Sequence, residues 1–259
     1  MINRMNSTLA LLKKTKPLVL CLTNYVTMDF MANSLLALGA APIMSCANEE
    51  FSELIYLSHA LYINIGTLDK AFIDKALIAA HLAKTMGKPV VLDPVGVGAS
   101  PFRTENARKL MPYATIIRGN ASEIMGLLDD EAKTRGVDSA SSTEVAKNHA
   151  VTLAKQLNCT VVISGEQDCI TDGHEILLLN VGSPLMPLIT GMGCSLTAVI
   201  AAFCAITSPY IAASLATLYF GLCGNMAETV TDKPGSFRAA FIDALYIADI
   251  ERMRDFYDK

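Results

Sequence analysis

Two glycines and a cysteine open an apolar helix at Thr190-Gly191-Met192-Gly193-Cys194, directly before Ser195-Leu-Thr-Ala-Val-Ile-Ala-Ala-Phe203. A Gly-x-Gly turn lets backbone N–H groups face one way. A helix start adds its free N–H groups and the positive end of its dipole, and together these hold an anion, phosphate above all. A glycine-rich turn that merely feeds a buried helix reads the same way, and the loop alone does not separate the two. No Lys-Ser/Thr follows, so this is not a Walker A loop. Cys194 is placed where a helix start lowers a thiol pKa. The other six cysteines read as small buried residues.

Two carboxylates come next. In Lys88-Pro-Val-Val-Leu-Asp93-Pro94-Val-Gly96-Val-Gly98 an apolar strand ends in an acid and then a Pro/Gly-rich loop. Ligands of open α/β sheets bind beyond the carboxyl ends of the strands, where Asp93 would meet a metal or a phosphate. Asp before Pro is also an ordinary turn former. Gly96-x-Gly98 lacks a third glycine, Ser100-Pro101 following instead, so it is no dinucleotide loop. In Ile116-Ile117-Arg118-Gly119-Asn120-Ala121-Ser122-Glu123 a strand runs into a helix. Asn120 and Glu123 have capping-box spacing, the plainer reading. The functional one has Glu123 ordering metal-bound water while Arg118 or Asn120 meets phosphate.

Three further positions lie at strand ends. Val161-Val162-Ile163-Ser164-Gly165 closes a buried strand on Ser164, which also suits a simple turn. Leu22-Thr23-Asn24 and Pro42-Ile43-Met44-Ser45 close two others. Asn24 offers a donor and an acceptor, Met44 an adaptable apolar wall. A helix-capping Asn and a core Met are their plainer readings.

The elements that must position these residues alternate. β-rich runs are Leu18–Thr23, Pro42–Ser45, Leu61–Ile65, Pro89–Asp93, Thr115–Arg118, Thr160–Ser164 and Ile176–Asn180. Helical stretches are 26–39, 69–86, 103–111, 120–128 and 143–157, then 193–206, 210–231 and 237–256. That alternation implies an α/β fold, a mostly parallel sheet with helices on both faces. The polar stretch Asp129–Ser142 reads as a surface loop, so residues 1–259 form one domain.

Composition narrows the function. The 259 residues are 52% hydrophobic and 18% charged, with net charge -4. That excludes a disordered chain, and the absence of a Lys/Arg block argues against nucleic acid or an anionic membrane surface. Seven scattered cysteines without C-x-x-C, and four histidines without H-x-x-x-H, argue against a disulfide scaffold or a zinc site and suit a reducing, cytoplasmic compartment. No secretory signal is evident at the N-terminus. Residues 194–231 carry almost no charge, but the first apolar run stops at Ser208-Pro209 after about 13 residues, short of the roughly 20 that span a bilayer. Helices buried inside a globular protein fit better, and the apolar surplus suits a subunit interface.

Taken in order, Thr23-Asn24-Tyr-Val, Gly39-Ala-Ala-Pro42-Ile-Met44-Ser, Asp93-Pro94-Val-Gly-Val-Gly, Ile117-Arg118-Gly-Asn120-Ala-Ser-Glu123-Ile and Gly191-Met-Gly193-Cys194 resemble the hydroxyethylthiazole kinase family of the ribokinase-like superfamily. The resemblance runs from about residue 9 to 250. Arg118-Gly-Asn-Ala-Ser-Glu123 with a cysteine at the anion-hole helix sets this family apart, since its wider superfamily usually carries Asp at the Cys194 position. Met192 departs from the family, which more often has Thr there. The resemblance implies phosphorylation of the alcohol of 4-methyl-5-(2-hydroxyethyl)thiazole by ATP with Mg2+, in thiamine salvage. It implies a homotrimer with active sites between subunits. It implies that Arg118, Asn120 and Ser164 contact ATP, that Asp93 and Glu123 lie around Mg2+, and that Met44 and Gly191 contact the thiazole with Asn24 nearby. Catalysis would then fall to Gly191, Gly193 and Cys194, with the anion hole stabilising the transferred phosphoryl oxygens and Cys194 receiving the acceptor proton.

Three rivals stand beside that reading: a kinase for hydroxymethylpyrimidine or another small alcohol, an acyl-transfer enzyme with Cys194 as nucleophile, and a sensor without turnover. The second needs a nearby base, and none of His59, His81, His149 or His174 falls in a recognisable motif. The third would have no need of a transfer loop.

Overall fold

The computed structural model describes residues 1–128 and 139–258, the side chains of 139–143 excepted. In chain order the elements are α1 (Ile2–Thr15), β1 (Leu18–Leu22), α2 (Met28–Leu38), β2 (Ala41–Met44), α3 (Phe51–Leu57), β3 (Ala60–Asn64), α4 (Lys70–Thr85), β4 (Val90–Asp93), α5 (Pro101–Leu110), β5 (Ile116–Asn120) and α6 (Ala121–Leu128). There follow α7 (Ser139–Leu157), β6 (Thr160–Ser164), β7 (Asp168–Thr171), β8 (Ile176–Leu179), α8 (Met192–Cys204), α9 (Pro209–Glu228), α10 (Pro234–Ile247) and α11 (Ile250–Tyr257).

Local chemistry sets several boundaries. Asp69 caps α4 by accepting from the Phe72 N–H at 2.7 Å. Ser100 caps α5, with Pro101 at its first position. Gly39, at φ 99°, closes α2 in the left-handed region where glycine carries no Cβ penalty.

Among the described residues the strands form one sheet of order β2-β1-β3-β4-β5-β6-β7-β8, parallel from β2 to β6 and antiparallel at β7 and β8. This bears out the expected mostly parallel sheet. Alternate strand residues serve two cores. Val19, Cys21, Tyr62, Val91 and Val162 face α1, α2 and α8–α11. Leu20, Leu22, Ile63, Leu92 and Val161 face α3–α7. Strand order reverses at β1, which has β2 on one side and β3 on the other, and crevices at such switch points receive ligands.

The charge-free stretch after residue 194 now has a cause. Helix α8 is packed against β3, β4, α2 and α9, and nearly all its residues are buried. Helix α9 is the one described helix long and apolar enough to cross a membrane, and 83% of its most apolar window is buried within the fold.

Some expectations need correction. The helix expected over 237–256 is two, α10 and α11, broken at Ala248, whose φ of 50° is left-handed. Asp249 then caps the second by accepting from the Arg252 N–H. The surface loop expected over Asp129–Ser142 lies outside the described residues up to 138, and from Ser139 the backbone is already α7. Helices α1 and α3 and strand β7 were not anticipated.

Candidate active site

Most of the predicted site residues gather at the carboxyl ends of β1, β4, β5 and β6, facing the start of α8. Gly191 is the residue before α8 and has φ 96°. A Cβ there would lie 3.0 Å from the Thr27 Cβ, so space and backbone both require glycine. A Cβ on Gly193 would come within 2.5 Å of Arg118 Nη1. The guanidinium therefore rests on the loop itself, which brings a fixed positive charge to backbone N–H groups that an α-helix leaves unpaired in its first turn.

Arg118 also donates through Nη2 to Ser164 Oγ. Its Nη1 lies 3.9 Å from Asp93 Oδ1. Asp93 is fully buried. Its Oδ2 accepts from Thr197 Oγ1 at 2.8 Å and Asn64 Nδ2 at 3.0 Å. Its Oδ1 and Arg118 Nε are buried without a hydrogen-bond partner. Two such orphans on one ion pair need an explanation, and a charged ligand supplies one. Burial pushes the Asp93 carboxyl up to about 6, with Glu123 adding to the rise and Arg118, Thr197 and Asn64 opposing it.

Cys194 is the third residue of α8. Asn24 Nδ2 donates to its Sγ at 3.5 Å, and Tyr62 OH donates to its carbonyl at 3.1 Å. The expected lowering of its pKa is overturned: burial first and the Asp93 charge second push the thiol up, against the polar groups of Thr27, Asn64 and Asn24. Desolvation is the largest of these influences.

Asn120 and Glu123 form the capping box reciprocally. Asn120 Oδ1 accepts from the Glu123 N–H at 2.9 Å, and Glu123 Oε2 from the Asn120 N–H at 2.8 Å. Glu123 Oε1 also accepts from the Gly96 N–H at 2.9 Å, tying the loop after β4 to α6.

Met44 stands apart. It ends β2 at the sheet edge, is 37% exposed, and lines a surface cleft with Ser45, Cys46, Glu50 and Lys75. Its neighbours bond within their own loop, Ser45 Oγ donating to Glu50 and accepting from the Ala47 N–H.

Sequence reasoning missed Tyr62, Asn64 and Thr197. The signal was a polar residue inside Leu-Tyr-Ile-Asn-Ile, since a buried amide in an apolar strand must have partners. It also missed Arg103, which donates to the carbonyls of Ile65, Gly66 and Val95, each at 2.9 Å, and so clamps the loops after β3 and β4 together. Asp168, at the turn after β6, accepts from the Gly165 N–H at 3.0 Å. Its carboxyl is pushed up to about 6 by burial, against that hydrogen bond and the Arg118 charge.

The geometry offers an anion-receiving loop and a buried Asp–Arg pair. Among the described residues no group of three His, Cys, Asp or Glu side chains could hold a metal. Mg2+ does not require one, since it is usually held by one or two carboxylates together with substrate phosphates and water. The free Oδ1 of Asp93 fits that use, and the hard oxygens of Glu123 are of the same kind.

A model of the hydroxyethylthiazole kinase family matches residues 9–251. Hydroxyethylthiazole kinase of Chlamydia felis is 50% identical over 262 residues, covering 100% of both chains. The structure of hydroxyethylthiazole kinase protein from Pyrococcus horikoshii superposes with a TM-score of 0.90 at 36% identity, over 97% of this chain and 96% of that one. A ribokinase-like superfamily protein of Enterococcus faecalis shares the fold, with a TM-score of 0.62 at 16% identity over 95% and 90% of the two chains.

Proposed function

Because the chain belongs to the hydroxyethylthiazole kinase family, we infer that it transfers the γ-phosphoryl group of ATP to the hydroxyl of 4-methyl-5-(2-hydroxyethyl)thiazole, in thiamine salvage. The observation that carries this reading onto the residues is the Arg118 guanidinium lying against Gly193, with Asp93 Oδ1 3.9 Å away and accepting no hydrogen bond. Phosphoryl transfer asks a protein for positioning and charge neutralisation more than for covalent chemistry, and this arrangement supplies both.

The residues divide the work as follows. Arg118, Ser164 and Asn120 hold the triphosphate. The N–H groups from Gly191 to Cys194 receive the oxygens of the group in transfer, where fixed dipoles act without reorganising. Asn24, Met44 and Gly191 hold the thiazole, a small neutral ring suited to a wall with few charges. Asp93 and Glu123 would hold Mg2+, which when bound neutralises phosphate charge. Asp93 and Cys194 are the two groups near enough to the loop to take up the acceptor's proton.

A homotrimer with sites between subunits is supported by exposed apolar residues beside the site: Tyr25 and Val26, each 70% exposed, directly follow Asn24. Such residues are unusual next to a small-molecule site unless another surface covers them. Seven free thiols support a reducing, cytoplasmic setting. Residues 1–259 act as one kinase domain.

The test is ATP consumption with the thiazole alcohol, with hydroxymethylpyrimidine and with no acceptor, each with and without Mg2+. Turnover should rise strongly only with the thiazole alcohol and Mg2+. Equal turnover with both alcohols would overturn the substrate assignment.

A further inference from the structure

We propose that Asn64 is a positioning residue for the phosphoryl transfer, its side-chain amide fixing Asp93 and Cys194 in one mutual geometry. This rests on the kinase reading above. Asn64 ends β3 and pairs in register with Asp93 at the end of β4. It is fully buried. A carboxamide has two N–H donors and two acceptor lone pairs, and Asn64 uses all four. Nδ2 donates to Asp93 Oδ2 at 3.0 Å and to Tyr62 OH at 2.8 Å. Oδ1 accepts from Asn24 Nδ2 at 2.9 Å and from the Gly66 N–H at 2.8 Å.

The partners leave no choice of orientation. A backbone N–H can only donate, so the Gly66 contact must be the oxygen, and the amide nitrogen must then face Asp93. Asn24 is held the same way, because its Oδ1 accepts from the Thr27 N–H at 3.0 Å. Its two N–H groups are thereby committed, one to Asn64 and one to Cys194 Sγ.

Asn64 thus reaches Cys194 by two routes. Through Asn24 it governs the contact to the sulfur, and through Tyr62 OH the contact to the carbonyl. Directly it occupies Oδ2 of Asp93, which leaves Oδ1 as the oxygen turned to Arg118. The space is built for it: a Cβ on Gly66 would stand 3.0 Å from both Asn64 Oδ1 and the Asn24 Cβ. Asn64 stands behind Asn24 and Asp93, so its effect reaches the reacting groups through the placement of those two residues. Misplacement by about 1 Å costs on the order of 10²-fold in rate.

The experiment compares steady-state kinetics and thermal unfolding of wild type, Asn64→Ala, Cys194→Ala, their double variant and Tyr219→Phe, with ATP, Mg2+ and the thiazole alcohol. Tyr219→Phe removes a buried hydrogen bond to the Leu245 carbonyl far from the site, so it reports what lost stability alone does. Asn64→Ala should lower kcat by about 10²-fold while both KM values stay within about threefold, the pattern of an interaction realised in the transition state. The double variant should fall short of the product of the two single losses, because both act on one geometry. Tyr219→Phe should keep wild-type kcat. An Asn64→Ala enzyme with wild-type kcat and a lowered unfolding temperature, or strictly multiplicative losses, would overturn the proposal. If Asn64→Ala does not fold, Tyr62→Phe decides. It removes the route from Asn64 to the Cys194 carbonyl while leaving the contacts of Asn64 to Asp93, Asn24 and Gly66 in place, and a wild-type kcat there would equally overturn the inference. A wild type that leaves the thiazole alcohol untouched would instead remove the kinase reading itself.

Discussion

Cys194 and Asp93 are both driven towards their neutral forms by burial, but from different starting points. The thiol begins above neutrality and rises, so at neutral pH it holds its proton. The Asp93 carboxyl begins low and reaches about 6, so at neutral pH it has mostly lost its own. A protonated thiol is a poor acceptor for the thiazole hydroxyl's proton, and the neighbouring N–H groups then contribute more than the sulfur. Cys194→Ala should accordingly cut kcat by about 10²-fold or less, the low end of general-base effects, with the KM for ATP little changed. Cys194→Asp supplies the residue usual in the wider superfamily and should remain active. A folded but dead Cys194→Asp would contradict this account. Asp93, Arg118, Ser164 and Cys194 were legible in the sequence because each has glycine or proline beside it near a strand end or helix start, and Asn24 because it follows the apolar run of β1. Asn64, Tyr62 and Thr197 were not, because their meaning lies in partners that other elements bring.

Glu123 belongs to the scale of elements, since its two oxygens join the start of α6 to the loop after β4. Both donors are backbone N–H groups. Glutamine in its place must turn its own N–H towards one of them, so Glu123→Gln should lose about 1–3 kcal/mol of stability, the cost of an unsatisfied buried donor. A carboxylate that also serves Mg2+ would show a second effect. Turnover should fall well beyond what the denaturation curve explains, and raised Mg2+ should restore part of it. Unchanged turnover would leave Glu123 as a cap alone. The long alternation of strands and helices was readable because each parallel strand is a short apolar run followed by a periodic helix. Strand β7 escaped because Asp168-Cys-Ile-Thr171 is no apolar run, holding one aliphatic residue between polar ends, and its pairing with β6 is made by a tight turn. The break between α10 and α11 escaped because Ala248 is an ordinary helix former. Its left-handed backbone is accommodated by the Asp249 cap that follows.

At the scale of the molecule, the apolar composition divides into two parts. Most of it is spent on two cores, one on each face of the sheet, including the nearly uncharged helices α8 and α9. The remainder stays exposed, with Tyr25, Val26 and Met44 near the strand ends that carry the site. A homotrimer that covers such residues predicts a three-chain mass by light scattering at working concentration, with activity lost on dilution to single chains. A stable monomer of full activity would refute shared sites. The central claim is that the loop from Gly191 to Cys194 receives a phosphoryl group bound for an alcohol, with no covalent bond to the protein. Mass spectrometry of the products and of the enzyme after turnover tests it most directly. The account predicts phosphorylated thiazole alcohol and ADP in equal amounts, both dependent on Mg2+, with Cys194 unmodified. A covalent adduct on Cys194, or ADP formed without the phosphorylated alcohol, would contradict it.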